Sequence, residues 1–400
     1  MFGSGMNIAA VTWYILKATN SEVNLAYLTI LQTIPSLLLI PFSGVVIDRE
    51  DRRHLLMILD FGRGLVICVV AMLALLHRVQ VWHLYLMGTI VAVAHWMFWP
   101  TINALIQELT PPEDFVVANT FLMAGVQGGW MIAGAVVGFM YDHIGLGGVL
   151  MIDVATYVVS LLCYFAVRKG RHVVERPVDK LREIERAAMN AAQRYVHEMT
   201  EGFNFVRGRP RVLQLGMSWM LFLGALMTTS IITAPLSDRI LHAGAYGYGW
   251  LNGAWGCGAL IAALLTAAVI SRIGAHRSVT VCFAVLTLGM FAAPFSRFVI
   301  LAMFLFLFMG ASRSMCGIAI SSDMMRLVPK YMMGRVQNTF YFSGMVLQLL
   351  LSGIVGWVAH FYSLTIAFCI IGSVFLSAFL LTYGPVPETV EDDGAENLKP

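Results

Sequence analysis

The sequence predicts an all-α membrane protein of twelve transmembrane helices, arranged as two six-helix bundles related by a pseudo-two-fold axis. Three observations carry this prediction: a composition starved of charge, a succession of apolar runs near the length of a bilayer span, and a repeat relating the two halves of the chain. Of 400 residues, 58% are hydrophobic and 12% charged, and mean hydropathy is +0.76. Soluble domains are about 45–50% apolar and about 25% charged, so lipid is the natural solvent for what this chain leaves exposed. The net charge of +3 is too small to point to nucleic acid, and the basic residues lie in loops rather than along one face.

The apolar runs, in order, are Met1–Leu16, Leu25–Ile47, Leu55–Leu76, Leu84–Ile106, Val116–Met140, Leu146–Val167, Val212–Leu236, Tyr246–Ile270, Val279–Pro294, Val299–Ile320, Met333–Val358 and Leu364–Tyr383. Runs of about 20 apolar residues can only be helices in lipid, where backbone groups find no water to bond. The first run falls short of that length, so either the first helix is short or, the favoured expectation, it is truncated and the natural start lies upstream. It lacks the basic segment and small-residue site of a cleaved signal.

Basic residues then orient the spans. Arg49, Arg52 and Arg53 follow the second run, Arg168 to Arg211 separate the sixth from the seventh, Arg272 and Arg277 follow the eighth, and Arg326, Lys330 and Arg335 the tenth. The alternate loops hold only Lys17, Arg78, Arg239 and Arg297. Both termini are therefore expected in the cytoplasm. The predicted organisation is an N-terminal half over 1–167, a cytoplasmic linker over 168–210, a C-terminal half over 211–384, and a disordered acidic tail over 385–400. In the linker Leu181, Ile184, Ala188, Ala191, Tyr195, Met199 and Phe203 recur at helical spacing, which predicts an amphipathic surface helix.

The halves resemble each other. Ala118-Asn119-Thr120-Phe121 opens the fifth span and Gln337-Asn338-Thr339-Phe340 the eleventh; at the same offset Gly125 matches Gly344 and Gly134 matches Gly353. Such repeats mark transporters, whose substrate site is expected near midplane between the halves.

The sharpest motif joins the second and third runs: Gly44, Asp48, Arg49, Arg52 and Arg53. Gly44 would let two helices approach, and Asp48 would cap a helix or accept from an arginine. The cluster reads as a conformational latch; the structural alternative is a positive-inside anchor. This pattern resembles the G-x-x-x-D-R-x-x-R-R loop of the major facilitator superfamily, with a weaker counterpart over Ser271–Arg277. Pro100, Glu108–Asp114 with Ala118-Asn119, Ile152–Tyr157, Glu201–Pro210 and Gly334-Arg335-Val336 further resemble its enterobactin-exporter and macrolide-efflux-like branch. Where exporters of the superfamily often carry G-P-x-x-G-G, the sequence reads Gly134-Ala135-Val136-Val137-Gly138-Phe139. The resemblance implies a secondary transporter working by alternating access, coupled to protons, exporting an amphipathic drug-like or siderophore-like molecule. It also implies a monomer in a bacterial plasma (inner) membrane with no cofactor. A facilitator or a lipid or lysolipid flippase of the same fold is the neighbouring alternative.

Ionisable residues inside spans are costly and draw functional suspicion. Asp153 and Asp60 are candidate proton-coupling groups, and so is His95, whose imidazole ordinarily changes charge between about pH 5 and 8. Asp60 and Arg63 stand one turn apart and can pair, and Asp153 could equally serve a structural hydrogen bond. His95 and Arg313 fall on spans that, by the resemblance, line the cavity. Asn7, Trp13, Trp99, Thr228 and Thr229, with Trp219 and Thr233, complete the candidate pocket. The Gly-rich run Gly247–Gly258 reads as close helix packing rather than a nucleotide loop. The six cysteines lie inside apolar runs without metal-ligand spacing. No Walker A, HExxH or GxSxG element is present, so neither an ATP-driven pump nor an enzyme finds support, and a structural subunit stands well behind.

Overall fold

The computed structural model describes residues 1–49, 51–111, 114–166 and 191–384, and these are helical almost throughout, with no strand among them. The helices are α1 (Phe2–Thr19), α2 (Glu22–Arg49), α3 (Arg52–Leu75), α4 (Val81–Leu109), α5 (Phe115–Ala166), α6 (Ala191–Arg207), α7 (Pro210–Pro235), α8 (Gly244–Ile273), α9 (Ala275–Ala292), α10 (Val299–Leu327), α11 (Lys330–Phe361) and α12 (Leu364–Tyr383). Nine helical segments among the described residues are long and apolar enough to cross a membrane. Large apolar side chains such as Leu264, Phe298 and Ile300 face outward, as expected where the surrounding solvent is hydrocarbon.

Local chemistry sets the breaks. Asp51 caps α3, its carboxylate accepting from the backbone amides of Arg53 at 3.0 Å and His54 at 3.2 Å. Asn20 ends α1 in the left-handed conformation, one that asparagine tolerates. The fifth and sixth apolar runs form a single long α5, and Gly145 folds it into two arms with φ of 63°, a backbone that costs glycine little. Pro235 has no amide to donate, and the chain beyond it widens into a π-helical turn over Leu236–Ile240.

Packing follows small residues. α5 presses on α8 where Gly138 meets Gly249: a Cβ added at Gly138 would fall 2.6 Å from the Gly249 Cα. This is the close-packing role expected of the Gly247–Gly258 run. The repeat-related glycines diverge, since Gly134 lies against Asn252 while Gly353 faces open space. α2 packs on α11, with Gln348 Nε2 donating to Thr33 Oγ1 at 3.2 Å.

The second part of the linker is the helix α6. Gly202 and Val206 are buried, whereas Phe203 is 57% exposed. The reason is the partner: Glu201 pairs with Arg335 of α11 at 2.6 Å, and Gly202 sits against the Arg335 and Thr339 turn, which rotates Phe203 outward. The earlier part of the linker stripe, Leu181 to Ala188, and the acidic tail lie outside the described residues.

Candidate functional site

Three assemblies of polar groups inside the bundle hold the candidate residues. The first closes the end of the molecule where α1 turns into α2. The Glu22 carboxylate is fully buried and pairs with Arg239 at 2.6 Å and with His360 at 3.2 Å. Lys17 Nζ donates to Asp238 Oδ1 at 2.5 Å, and Arg239 donates to the carbonyl and side-chain oxygens of Asn20, each at 3.0 Å. The π-helical turn after Pro235 presents both Asp238 and Arg239. Trp13 stacks on Tyr248 at 5.8 Å between centroids, with Lys17 over its ring. Apart from Lys17 over Trp13, which lies within α1, each of these contacts joins α1 or α2 to the helices from α7 onward.

The second assembly ties α1, α3, α4 and α5 together. Asp60 pairs with Arg63, as the one-turn spacing predicts, and accepts from Ser160 Oγ at 2.6 Å. The Arg63 guanidinium lies over the rings of Phe98 and Tyr157, 5.1 Å from each centroid. Tyr157 in turn meets Ser4 of α1 at 3.3 Å. Nearby, Asn7 Nδ2 donates to Asp153 Oδ2 at 2.8 Å, and Thr156 donates to the Asp153 carbonyl. Asp153 is fully buried under α1. Asn7, also buried, is thereby committed to Asp153 rather than to an open pocket.

The third assembly is looser. On α4 the Trp99 indole donates to His95 Nε2 at 3.2 Å, and both residues are half-buried. Trp219 of α7 stacks on Phe222. Arg313 of α10 is half-buried, with no ion pair or hydrogen bond among the described residues.

The remaining sequence candidates sort plainly. Thr228 and Thr229 donate to carbonyls of their own helix, Gly224 and Leu226, so neither hydroxyl is free as a first-choice ligand donor. Trp13 is buried in the closure rather than in a wet cavity. In the motif between the second and third runs, α2 continues to Arg49, so Gly44, Asp48 and Arg49 belong to its last turns rather than to a loop; their side chains lie outside the described residues. Arg53 donates to the carbonyls of Tyr164 at 2.7 Å and Phe165 at 3.1 Å, satisfying the exposed C-terminus of α5 within its own group of helices. The adjoining Arg52 is half-buried. Sequence reading missed Glu22, Asp238, Arg239 and His360. Their only signal was charge at the edges of apolar runs, since the partners lie 217 to 338 positions apart, as for His360 and Glu22.

A bundle of long helices and an outward-facing apolar surface define a multi-pass membrane protein of the transporter class. The chain belongs to the Major Facilitator Superfamily, whose family model matches residues 1–350. It is 21% identical over 198 residues to Macrolide efflux protein A of Streptococcus pyogenes, covering 50% of this chain and 46% of that protein. It is 23% identical over 297 residues to the Multidrug efflux pump Tap of Mycolicibacterium fortuitum, covering 72% and 68%. The chain thus spans about half the length of the macrolide efflux relative. Among solved structures, a point mutant of the nucleoside transporter NupG superposes with a TM-score of 0.73 at 12% identity, over 96% of this chain and 99% of that one. A D-xylose–proton symporter gives 0.72 at 17%, over 97% and 95%, and a bacterial homologue of the iron transporter ferroportin in an inward-facing state 0.69 at 14%, over 96% and 94%. These chains share its fold.

Proposed function

We propose that this protein is a secondary transporter that exports amphipathic small molecules by alternating access, driven by a proton gradient. The observation that carries the reading is the closure at Lys17. Two groups of helices meet there through side-chain ion pairs and a glycine contact, so the seam can part without unwinding a helix. The efflux relatives support export, and the sequence resemblance supports proton coupling. In this reading α5 counts as two spans, giving twelve spans in two six-helix bundles over 1–167 and 211–384, joined by 168–210. The distribution of basic residues places the Lys17 end outside a bacterial inner membrane and both termini in the cytoplasm. The structure is then the state closed to the outside, with a monomer as the working unit.

Asp153 is the coupling group we favour. Its carboxylate is sealed under α1 by Asn7, so proton exchange requires α1 to move, and this would link protonation to the conformational cycle. Transport in proteoliposomes, with fluorescent amphiphiles and an imposed pH gradient, tests both levels. Asp153→Asn is expected to retain probe binding and lose gradient-driven transport; a variant with normal gradient dependence at equal protein level would remove Asp153 from that role. Uptake by the wild type that ignores the gradient would identify a facilitator or flippase instead. The motif at the other end of α2 acts, in this reading, as the inner latch. Asp48→Ala with Arg49→Ala is expected to slow turnover by about ten-fold, the effect of about 1.4 kcal/mol on one conformer, and unchanged turnover would refute the latch.

A further inference from the structure

Arg313 is the fifteenth of 29 residues in α10. At 1.5 Å per residue it lies about 21 Å from either helix end, within the hydrocarbon depth of a bilayer about 30 Å thick. At 100° per residue it points directly away from Phe304 and lies well over 100° from Leu301, Phe308, Ile318 and Met325, the exposed, lipid-facing stripe of α10. It shares its own face with the buried Phe306, Met309 and Met324. Its exposed part therefore opens into the protein, not into lipid. No carboxylate pairs with it among the described residues. By contrast Arg63, the other guanidinium held deep in a span, has Asp60. One turn further along the same face, Gly317 leaves space up to the Trp219 ring, which a Cβ would meet only at 3.9 Å.

A permanent cation kept at membrane depth without a counter-charge is retained for something that brings one. We infer that Arg313 and Trp219 form a substrate subsite for an anionic amphiphile, with a carboxylate or phosphate head on the Arg313 guanidinium and its apolar body against the Trp219 ring. This inference rests on the transport reading above and names its substrate class. The fork of guanidinium donors matches both oxyanions, so a soluble acid and a lysophospholipid headgroup offer the same chemistry.

The test uses purified full-length protein and probes sharing one dansyl-undecanoyl body, ending in a carboxylate, a neutral methyl amide or an amine. Binding is read by energy transfer from tryptophan, and uptake is read in proteoliposomes. The carboxylate is expected to bind at least about ten-fold more tightly than the amide, the effect of one charge-assisted pair. Arg313→Gln should bring the two within about two-fold, with the thermal transition of the purified variant reporting that it is folded. Arg313→Lys should keep part of the preference. Equal binding of carboxylate and amide to the wild type, or a preference that survives Arg313→Gln, would overturn the assignment. Competition by a lysophosphatidate assigns the anion to lipid, competition by a naphthoate assigns it to a soluble acid, and competition by neither also overturns it. Absence of uptake for all three probes would count against transport, while the binding preference would still decide the anion subsite.

Discussion

Replacing Glu22 with glutamine is expected to open the Lys17 end. Glu22 is the one acidic group shared by Arg239 and His360, and it is fully buried, whereas its partners are 34% and 31% exposed. Removing one partner of a buried ion pair costs several kcal/mol because the other charge is left uncompensated. Here water can reach Arg239 and His360 afterwards, so an effect of about 2 kcal/mol is reasonable, about thirty-fold in the equilibrium between closed and open forms. The loss falls only on the closed form, because these partners are contributed by α2, the turn after α7, and α11, which an open seam would separate. Spin labels at Thr19 and His242, on either side of the seam, should report a longer distance population in the variant. An unchanged distance distribution would mean that the cluster is structural decoration on a seam held by packing alone.

Gly138→Leu is expected to have the larger effect on turnover. The added side chain would start 2.6 Å from the Gly249 Cα and 3.2 Å from the Ala245 carbonyl. Both are backbone, so neither can swing aside as a flexible side chain would. Overpacking costs about 1–3 kcal/mol where neighbours can adjust, and more where two helix backbones must separate. Since α5 and α8 belong to opposite groups, the strain bears on their closure rather than on either group's own core. Transport in proteoliposomes should fall by at least about ten-fold, while the thermal transition of the purified protein stays near that of the wild type. A variant that transports normally would show that α5 and α8 do not close on each other during turnover. A collapsed thermal transition would show that the contact belongs to the folded core instead.

Much of the architecture was legible because lipid imposes it one segment at a time. Each apolar run must satisfy its own backbone as a helix, so span positions follow from local composition. Apart from α6, the described helices fall on the predicted runs, the fifth and sixth of which form one helix kinked at Gly145. The Asp60–Arg63 pair was legible for the same reason, since both partners lie on one turn of one helix. Asp153 was visible as an expensive carboxylate in an apolar run, but its partner Asn7 lies 146 positions away, a separation that no periodicity encodes.

The closure at Lys17 could not be read from the chain. Its charges sit at run ends, where positive-inside statistics and ordinary solvation explain them equally well, and pairing depends on how helices far apart in sequence are set side by side. The contact of the linker helix was hidden on the same ground: spacing identifies which residues share a stripe, but the pairing of Glu201 with Arg335 on α11 joins elements far apart in sequence. Composition and periodicity, being local, determined that this is a helical membrane protein, and the motif between the second and third runs carried the resemblance to the superfamily. Which polar groups meet, and which cation is left without a partner among the described residues, were decided by the tertiary structure, because those are properties of contacts between helices and not of any helix alone.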